Sequence, residues 1–230
     1  MVIDGARVEI TVKVSPRAKN YKLSLPNHGR PLLTVPKYGR WNEAKAFLDR
    51  HTAWLGERIE LSAKPVAFVR GAIVPLRGVN HRIVPTGKVR GVVEVGEHDG
   101  ELALLVPGAA EHRARRLIDW LKIEAQAELE KRCRHHAANL GVAVKSISMR
   151  SQSTRWGSCS STGKLNFNWR LILAPPFVLD YVAAHEVSHM LEMNHSQDFW
   201  DVVERTLPTM ERGREWLRIH GRELMVYGLE

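Results

Sequence analysis

Cysteine is scarce in this sequence: its 230 residues hold only Cys133 and Cys159. Two thiols build no disulfide framework, so the fold must rest on a packed core, and a reducing compartment leaves both thiols free. Long apolar runs are missing as well. No stretch approaches the roughly 20 apolar residues of a membrane span. The amino-terminal Met1-Val2-Ile3-Asp4-Gly5-Ala6-Arg7 meets an acid early and has no apolar core region, unlike a secretory signal. These absences point to a cytoplasmic protein without a membrane partner. A glycine-rich phosphate loop and a carboxylate cluster for magnesium are also lacking, which counts against a nucleotide phosphohydrolase. Acids are outnumbered: 25 Asp and Glu face 34 Lys and Arg, a net charge of +9. Such a surface attracts polyanions, nucleic acid among them. The basic residues form no single long run, however, and serve equally as solubilising charge. With 44% apolar and 26% charged residues, the chain is globular and long enough for one large domain or two small ones.

The first hundred residues read as β-rich. Arg7 to Val14 alternates polar and apolar, the period of a strand with one buried face. Tyr21 to Leu25 and Leu32 to Val35 flank Pro26-Asn27-His28-Gly29, a hairpin turn. From Glu43 to about Ala63 the spacing predicts a helix, capped by Asn42 and ended by Pro65. Strand-like pieces follow at Ala72 to Leu76, Val92 to Val95 and Leu102 to Val106, with His98-Asp99-Gly100 turning between the last two. Pro107-Gly108 reads as a linker, which divides the chain into a β-rich region 1–107 with one helix and a region 108–230. A long helix is expected from Ala110 to Asn139, its buried stripe Leu117, Leu121, Ala125, Leu129, Cys133 and Ala137. Val142 to Met149 and Lys164 to Leu173 read as strands, the second with Asn166, Asn168 and Arg170 on a polar face. Pro175-Pro176 opens a mostly apolar helix. Ser196 is a candidate cap for the next helix, and Thr209 to His220 reads as a last one, closed by Gly221. The fold class is α+β.

One stretch carries chemistry. His185-Glu186-Val187-Ser188-His189 is H-E-x-x-H, followed six positions later by His195. Residues four apart on a helix lie on one face, so His185 and His189 can aim two imidazoles at one spot. Glu186 on the flank of that face suits a general base for water, the arrangement a zinc hydrolase uses. His195 can join only if the helix stops and the chain folds back, because six more helical residues would carry it round to another face. A related pattern makes that turn with a glycine. Here Glu192 stands at that place, and Asn194 is a residue that tolerates a left-handed turn. Were His195 not to reach the metal, Asp198 or Glu204 would be the substitute. Cys159 could instead close the site as a fourth ligand, but Glu186 would then have no role. An oxyanion needs a donor. The candidates are Arg155 in the Trp-Gly-Ser-Cys loop, Arg170, and Asn166 or Asn168. The polar-faced strand near Asn166 to Arg170 could also pair with an extended peptide.

Several motifs together carry a family resemblance. They are Arg155-Trp156-Gly157-Ser158-Cys159-Ser160, Asn168-Trp169-Arg170-Leu171, Pro175-Pro176, Leu179-Asp180-Tyr181-Val182, the H-E-V-S-H run, and Asn194-His195-Ser196 with Phe199-Trp200. In these the chain resembles the YgjP-like metallopeptidase family, itself similar to SprT-like and other zincin metallopeptidases. The likeness is strongest from Lys145 to Trp216 and traceable through the N-terminal half. Val187 stands where leucine is common. The resemblance implies a zincin-like catalytic region, zinc on His185, His189 and His195, Glu186 as base, and a peptide or protein substrate. Two other readings stay open on the residues: a metal-dependent phosphohydrolase acting on nucleotides, and a nucleic-acid-associated module with a structural zinc.

Overall fold

The computed structural model describes residues 1–3, 5–26, 30–60, 64–152 and 154–229. They divide into two compact units, Met1–Lys64 and Pro65–Glu230. Each has two sheets and a core of its own.

The first unit is small. A two-stranded ribbon, β1 (Val2–Ile3) and β2 (Ala6–Arg7), precedes a three-stranded sheet of β3 (Thr11–Ser15), β4 (Lys22–Ser24) and β5 (Leu32–Pro36). Its order is β3-β5-β4, with β3 parallel and β4 antiparallel to the central β5. The antiparallel pair is what the expected hairpin requires. The turn itself, Asn27 to Gly29, lies outside the described residues. Alternation along Arg7 to Val14 does not yield one half-buried strand. It breaks between β2 and β3, and none of Thr11 to Ser15 is buried. The core cluster holds Leu33, Val35, Ala44 and Leu48, with Ile10, Tyr21, Leu23 and Phe47 against it, and among the described residues no side chain of β3 joins it. The expected single helix is two, α1 (Trp41–Arg50) and α2 (Thr52–Glu60). Arg40, not Asn42, holds the first cap position. The break falls at His51, whose ring takes the Phe47 carbonyl (2.7 Å), while the Thr52 hydroxyl donates to the Leu48 carbonyl (3.2 Å). The end of the expected helix, 61–63, lies outside the described residues.

The second unit opens with a four-stranded sheet: β6 (Ile73–Leu76), β7 (Val79–Pro85), β8 (Glu94–His98) and β9 (Glu101–Val106), in the order β6-β7-β9-β8. The β8–β9 turn takes positive φ at Asp99 (52°) and Gly100 (77°), and Arg77 (51°) and Gly78 (81°) do the same between β6 and β7. These are two-residue hairpins of the primed type that matches strand twist. β7 is a strand the sequence patterning does not suggest. α3 (Ala110–Leu140) runs as expected, its stripe Leu117, Leu121, Ala125, Leu129, Cys133 and Ala137 fully inside, and Gly141 ends it at φ 69°. Val74, Leu76, Ile83, Leu104 and Val106 of the sheet share one core with this stripe and with the later helices. The expected division at 107/108 thus falls between β9 and α3, inside the second unit.

A smaller sheet of β10 (Ser146–Arg150), β11 (Gly157–Cys159) and β12 (Lys164–Asn168) follows, ordered β10-β12-β11. The strand expected to reach Leu173 stops at Asn168. Trp169–Leu173 is a 3-10 helix, capped by the Asn168 side chain, which accepts from the Arg170 backbone N–H (3.1 Å). Three helices complete the fold: α4 (Pro176–Ser188), α5 (Gln197–Thr206) and α6 (Met210–Leu224). α6 continues through Gly221 rather than ending there. The α+β architecture is therefore as the sequence implies. No helix of the described residues is long and apolar enough to cross a membrane.

Candidate active site

Helix α4 is apolar on nearly every side, and a helix of that kind belongs inside a core. Val178, Leu179, Val182, Ala183, Ala184 and Val187 are buried, so the register of His185 and Glu186 is set by packing on all flanks. Asp180 near the start of α4 adds polar anchoring. It accepts from Arg132 (3.3 Å) and from His136 Nε2 (3.3 Å), and His136 Nδ1 meets the Thr206 hydroxyl (2.9 Å). One network thereby ties α3, α4 and α5. The His136 bond is the main reason the Asp180 carboxyl lies below the usual range.

The turn that His195 needs is made without a left-handed residue. α4 ends at Ser188, with His189 at its last cap position. Backbone bonds from Met190, Leu191 and Glu192 to Val187 and Ser188 then tighten the chain. Neither Glu192 nor Asn194 has positive φ. Asn194 acts instead through its side chain, whose oxygen accepts from the Ser196 N–H (2.9 Å) and turns the chain back. Ser196 takes the first cap position of α5, though its side chain bonds no backbone N–H there.

Three imidazoles converge as a result. One nitrogen from each of His185, His189 and His195 lies within 4.8 Å of the other two. His195 Nε2 is 3.1 Å from His185 Nε2. Phe199 in the first turn of α5 is the floor beneath them. Its fully buried ring stacks on His189 (4.4 Å between centroids) and meets His185 and His195 edge-on (4.9 and 4.8 Å). Trp200 flanks His185 and His195, each at 5.9 Å, and Arg214 of α6 lies over the Trp200 ring (4.3 Å).

The residues fit a divalent metal of the zinc type. Ligating imidazoles must be neutral with a lone pair facing the ion. Burial, then the neighbouring histidines, pushes His185 down to about 3, and burial lowers His189. The carbonyl of Glu192 sits 2.9 Å from His189 Nδ1. It holds the proton on that nitrogen and leaves Nε2 free, the backbone tether common to metal-binding histidines. Three nitrogen donors leave a four-coordinate ion one open position.

Glu186 faces a cleft of about 380 Å³ whose walls include Arg155, Trp156, Gly157, Tyr181 and Arg214. The residue is 5% exposed, and burial pushes its carboxyl up to about 8 against the opposing pull of Arg155. The structure thus brings His185, Glu186, His189, His195 and Arg155 into one neighbourhood. It places the other candidates elsewhere. Asn166 bonds Arg150 (3.2 Å) and Ser158 (3.4 Å). Asn168 donates to the Gln152 carbonyl (2.6 Å). Buried Arg170 donates to the Tyr227 carbonyl (2.8 Å) and covers the Trp169 ring (4.6 Å). Cys159, Asp198 and Glu204 are not part of the histidine cluster. β12 is also not a free edge: β10 and β11 pair with both of its sides, so among the described residues the open edge nearest Glu186 belongs to β11. Sequence reasoning missed Tyr181 and Arg214. Tyr181 lies four residues before His185, on the same helix face, and spacing could have found it. Arg214 arrives from another helix, with no local signal.

No curated protein matches the chain. Among solved structures it is similar to the crystal structure of the metallopeptidase zymogen of Pyrococcus abyssi abylysin, at 23% identity and a TM-score of 0.36, over 41% of this chain and 93% of that one. The YgjP-like metallopeptidase domain matches residues 19–220, most of both units, and the chain accordingly belongs to the YgjP-like metallopeptidase family.

Proposed function

We propose that this chain is a zinc-dependent peptidase that cleaves peptide bonds with Glu186 as its general base. The observation that carries this reading is the convergence of three imidazoles beside one buried carboxyl that opens onto a cleft. His185, His189 and His195 would hold the metal. Bound there, zinc supplies Lewis-acid polarisation of the scissile carbonyl and acidifies water to a pKa of about 7. Glu186 takes the proton from the attacking water and returns it to the leaving amine nitrogen. A nearby dication favours the ionised carboxylate, which opposes the burial that raises it. Arg155, on the same cleft wall, is the donor best placed for the developing oxyanion, and the Tyr181 side chain reaches that wall from α4. The edge of β11 that is free among the described residues offers backbone groups to an extended peptide. Two free thiols suit a reducing cytoplasm.

A second reading has one observation in its favour. Arg155, Arg214 and Arg218 all line the cleft and suit a nucleotide's phosphates. Parallel assays of zinc-loaded protein on a peptide library and on nucleoside triphosphates separate the two. Peptide cleavage lost in Glu186→Gln, with one zinc retained per chain, is the expected result. Phosphate release with that same dependence, and no peptide cleavage, would replace the first reading with the second.

A further inference from the structure

Charge and exposed aromatic surface are both concentrated in the first unit. Its 64 residues carry 12 Lys and Arg against 6 Asp and Glu, a net +6 of the chain's +9. The remaining 166 residues carry 22 against 19, a net +3. Among the described residues, every aromatic side chain that is exposed rather than half-buried lies in the same unit: Tyr38 (87%), Trp41 (61%) and Trp54 (37%). Bare rings of this size cost hydration free energy and ordinarily turn inward. Here the fold holds two of them outward. Lys37-Tyr38-Gly39-Arg40 is a tight turn from β5 into α1, closed by the Gly39 N–H donating to the Pro36 carbonyl (3.0 Å). Tyr21 pins it from beneath, donating to Glu43 (2.8 Å) and reaching the Arg40 carbonyl (3.2 Å). A Cβ at Gly39 would lie 2.8 Å from the Tyr21 oxygen, so only glycine lets the turn sit this low. A floppy turn could fold its rings back; this one is anchored.

Cations surround the rings. Lys37 lies over one face of Tyr38 (5.2 Å), and Arg58 lies near Trp54 (5.9 Å). Trp41 and Lys45 line a groove of about 610 Å³ with Arg7 and Arg30. Of the described acids nearby, Glu9 is paired with Arg30 (2.7 Å) and Glu43 holds Tyr21, leaving Asp49 in the groove. Basic charge interleaved with bare rings is the chemistry of single-stranded nucleic acid binding, where phosphates meet cations and unpaired bases stack. A duplex hides its base faces. A membrane-inserting surface needs a continuous apolar face, but Ala44, Leu48 and Leu55 of α1 and α2 are buried and Asp49 and Glu57 stand on the outside.

We propose that the unit Met1–Lys64 binds single-stranded nucleic acid, with bases stacked on Tyr38 and Trp41 and phosphates on Lys37, Arg40 and Lys45. The proposal stands independently of the peptidase reading. Fluorescence anisotropy of labelled oligo-dT and oligo-U, titrated with the full chain over a range of salt, tests it. The two homopolymers show whether DNA or RNA is preferred. Affinity should fall as salt rises, and Tyr38→Ala and Trp41→Ala should each weaken it at least about fivefold without changing the salt slope. Lys37→Gln with Arg40→Gln should lower that slope by about 1.4. All four side chains are exposed, so the variants should keep the wild-type circular dichroism spectrum. No binding at about 50 mM salt, equal affinity for duplex, indifference to both ring deletions, or preferential capture by phosphatidylserine vesicles would each overturn the proposal.

Discussion

The backbone of Gly157 lies directly against the side chain of Glu186. A Cβ at 157 would fall 2.6 Å from Cγ and 2.7 Å from Cδ of Glu186, and closer still to one carboxylate oxygen. β11 thus approaches the carboxyl as only glycine permits, and φ at 157 is not in the left-handed region, so conformational freedom is not the reason. Gly157→Ala should therefore fold, keep the three-histidine site and move the Glu186 carboxyl out of line. General base catalysis contributes about 10²–10⁴-fold. We expect kcat on a peptide substrate to fall by about 10²-fold while metal content stays at the wild-type ratio. Wild-type kcat in this variant would show that the contact is slack.

Phe199 touches all three imidazoles, and its loss should register in metal affinity before it registers in folding. Phe199→Ala would remove a fully buried ring at about 3–5 kcal/mol and confuse the two effects. Phe199→Leu keeps most of the volume but not the flat surface against His189. Groups that orient metal ligands are worth about 10–100-fold in affinity. Competition with a zinc chelator should show a loss in that range, with unfolding in urea shifted far less. Unchanged zinc affinity would reduce Phe199 to filler.

The histidine spacing was legible because it is local: four residues on one helix, then a short return. The long helix α3 was legible for the same reason, as its stripe repeats every fourth residue over many turns. What escaped was non-local. Leu165, Phe167, Trp169 and Leu171 continue a strand's alternation, yet the strand ends at Asn168. Asn168 caps the turn, and Arg170 is captured by the carbonyl of Tyr227, 57 residues away. No pattern within a ten-residue window contains that partner. Gly157 against Glu186, and Arg214 over Trp200, are likewise pairings between separate elements. The turn to His195 was anticipated in place but not in means, since an Asn side chain can satisfy a turn without a left-handed backbone.

Gly213 offers a test in which two principles predict opposite signs. It lies within α6, where replacing glycine by alanine ordinarily stabilises a helix by about 1 kcal/mol. Here the new Cβ would collide with Cβ of Tyr181 and come within 2.9 Å of its Cγ and 3.1 Å of the Phe177 carbonyl. Overpacking of this kind costs about 1–3 kcal/mol, and two of the contacts are backbone or close to it. Packing should win. Gly213→Ala should lower stability in urea, by up to about 2 kcal/mol net. Because Tyr181 and His185 share α4, peptide turnover should fall with it. A stabilised variant would mean that α4 and α6 can part at little cost.

Stability of the metal-free protein should depend on pH in a way that identifies Glu186. Its folded carboxyl sits at about 8, above the usual 4.5, because burial disfavours the charge. The folded state therefore keeps a proton that the unfolded chain releases, and its contribution is whole below about 4.5 and lost as pH rises through 8. His185 has the opposite sign. Held down at about 3 against the usual 6.5, it contributes stability above 6.5 that disappears as pH falls toward 3. Between pH 6.5 and 8 the Glu186 slope should thus act without opposition from His185, at roughly 2 kcal/mol across that interval. Urea unfolding in the presence of a chelator should show wild-type protein losing stability over this range, and Glu186→Gln, which has no proton to release, losing clearly less. Adding zinc should flatten the wild-type curve, since a dication near the carboxylate favours its ionised form. Parallel slopes for the two chelated proteins would mean that Glu186 is already ionised in the folded state without metal.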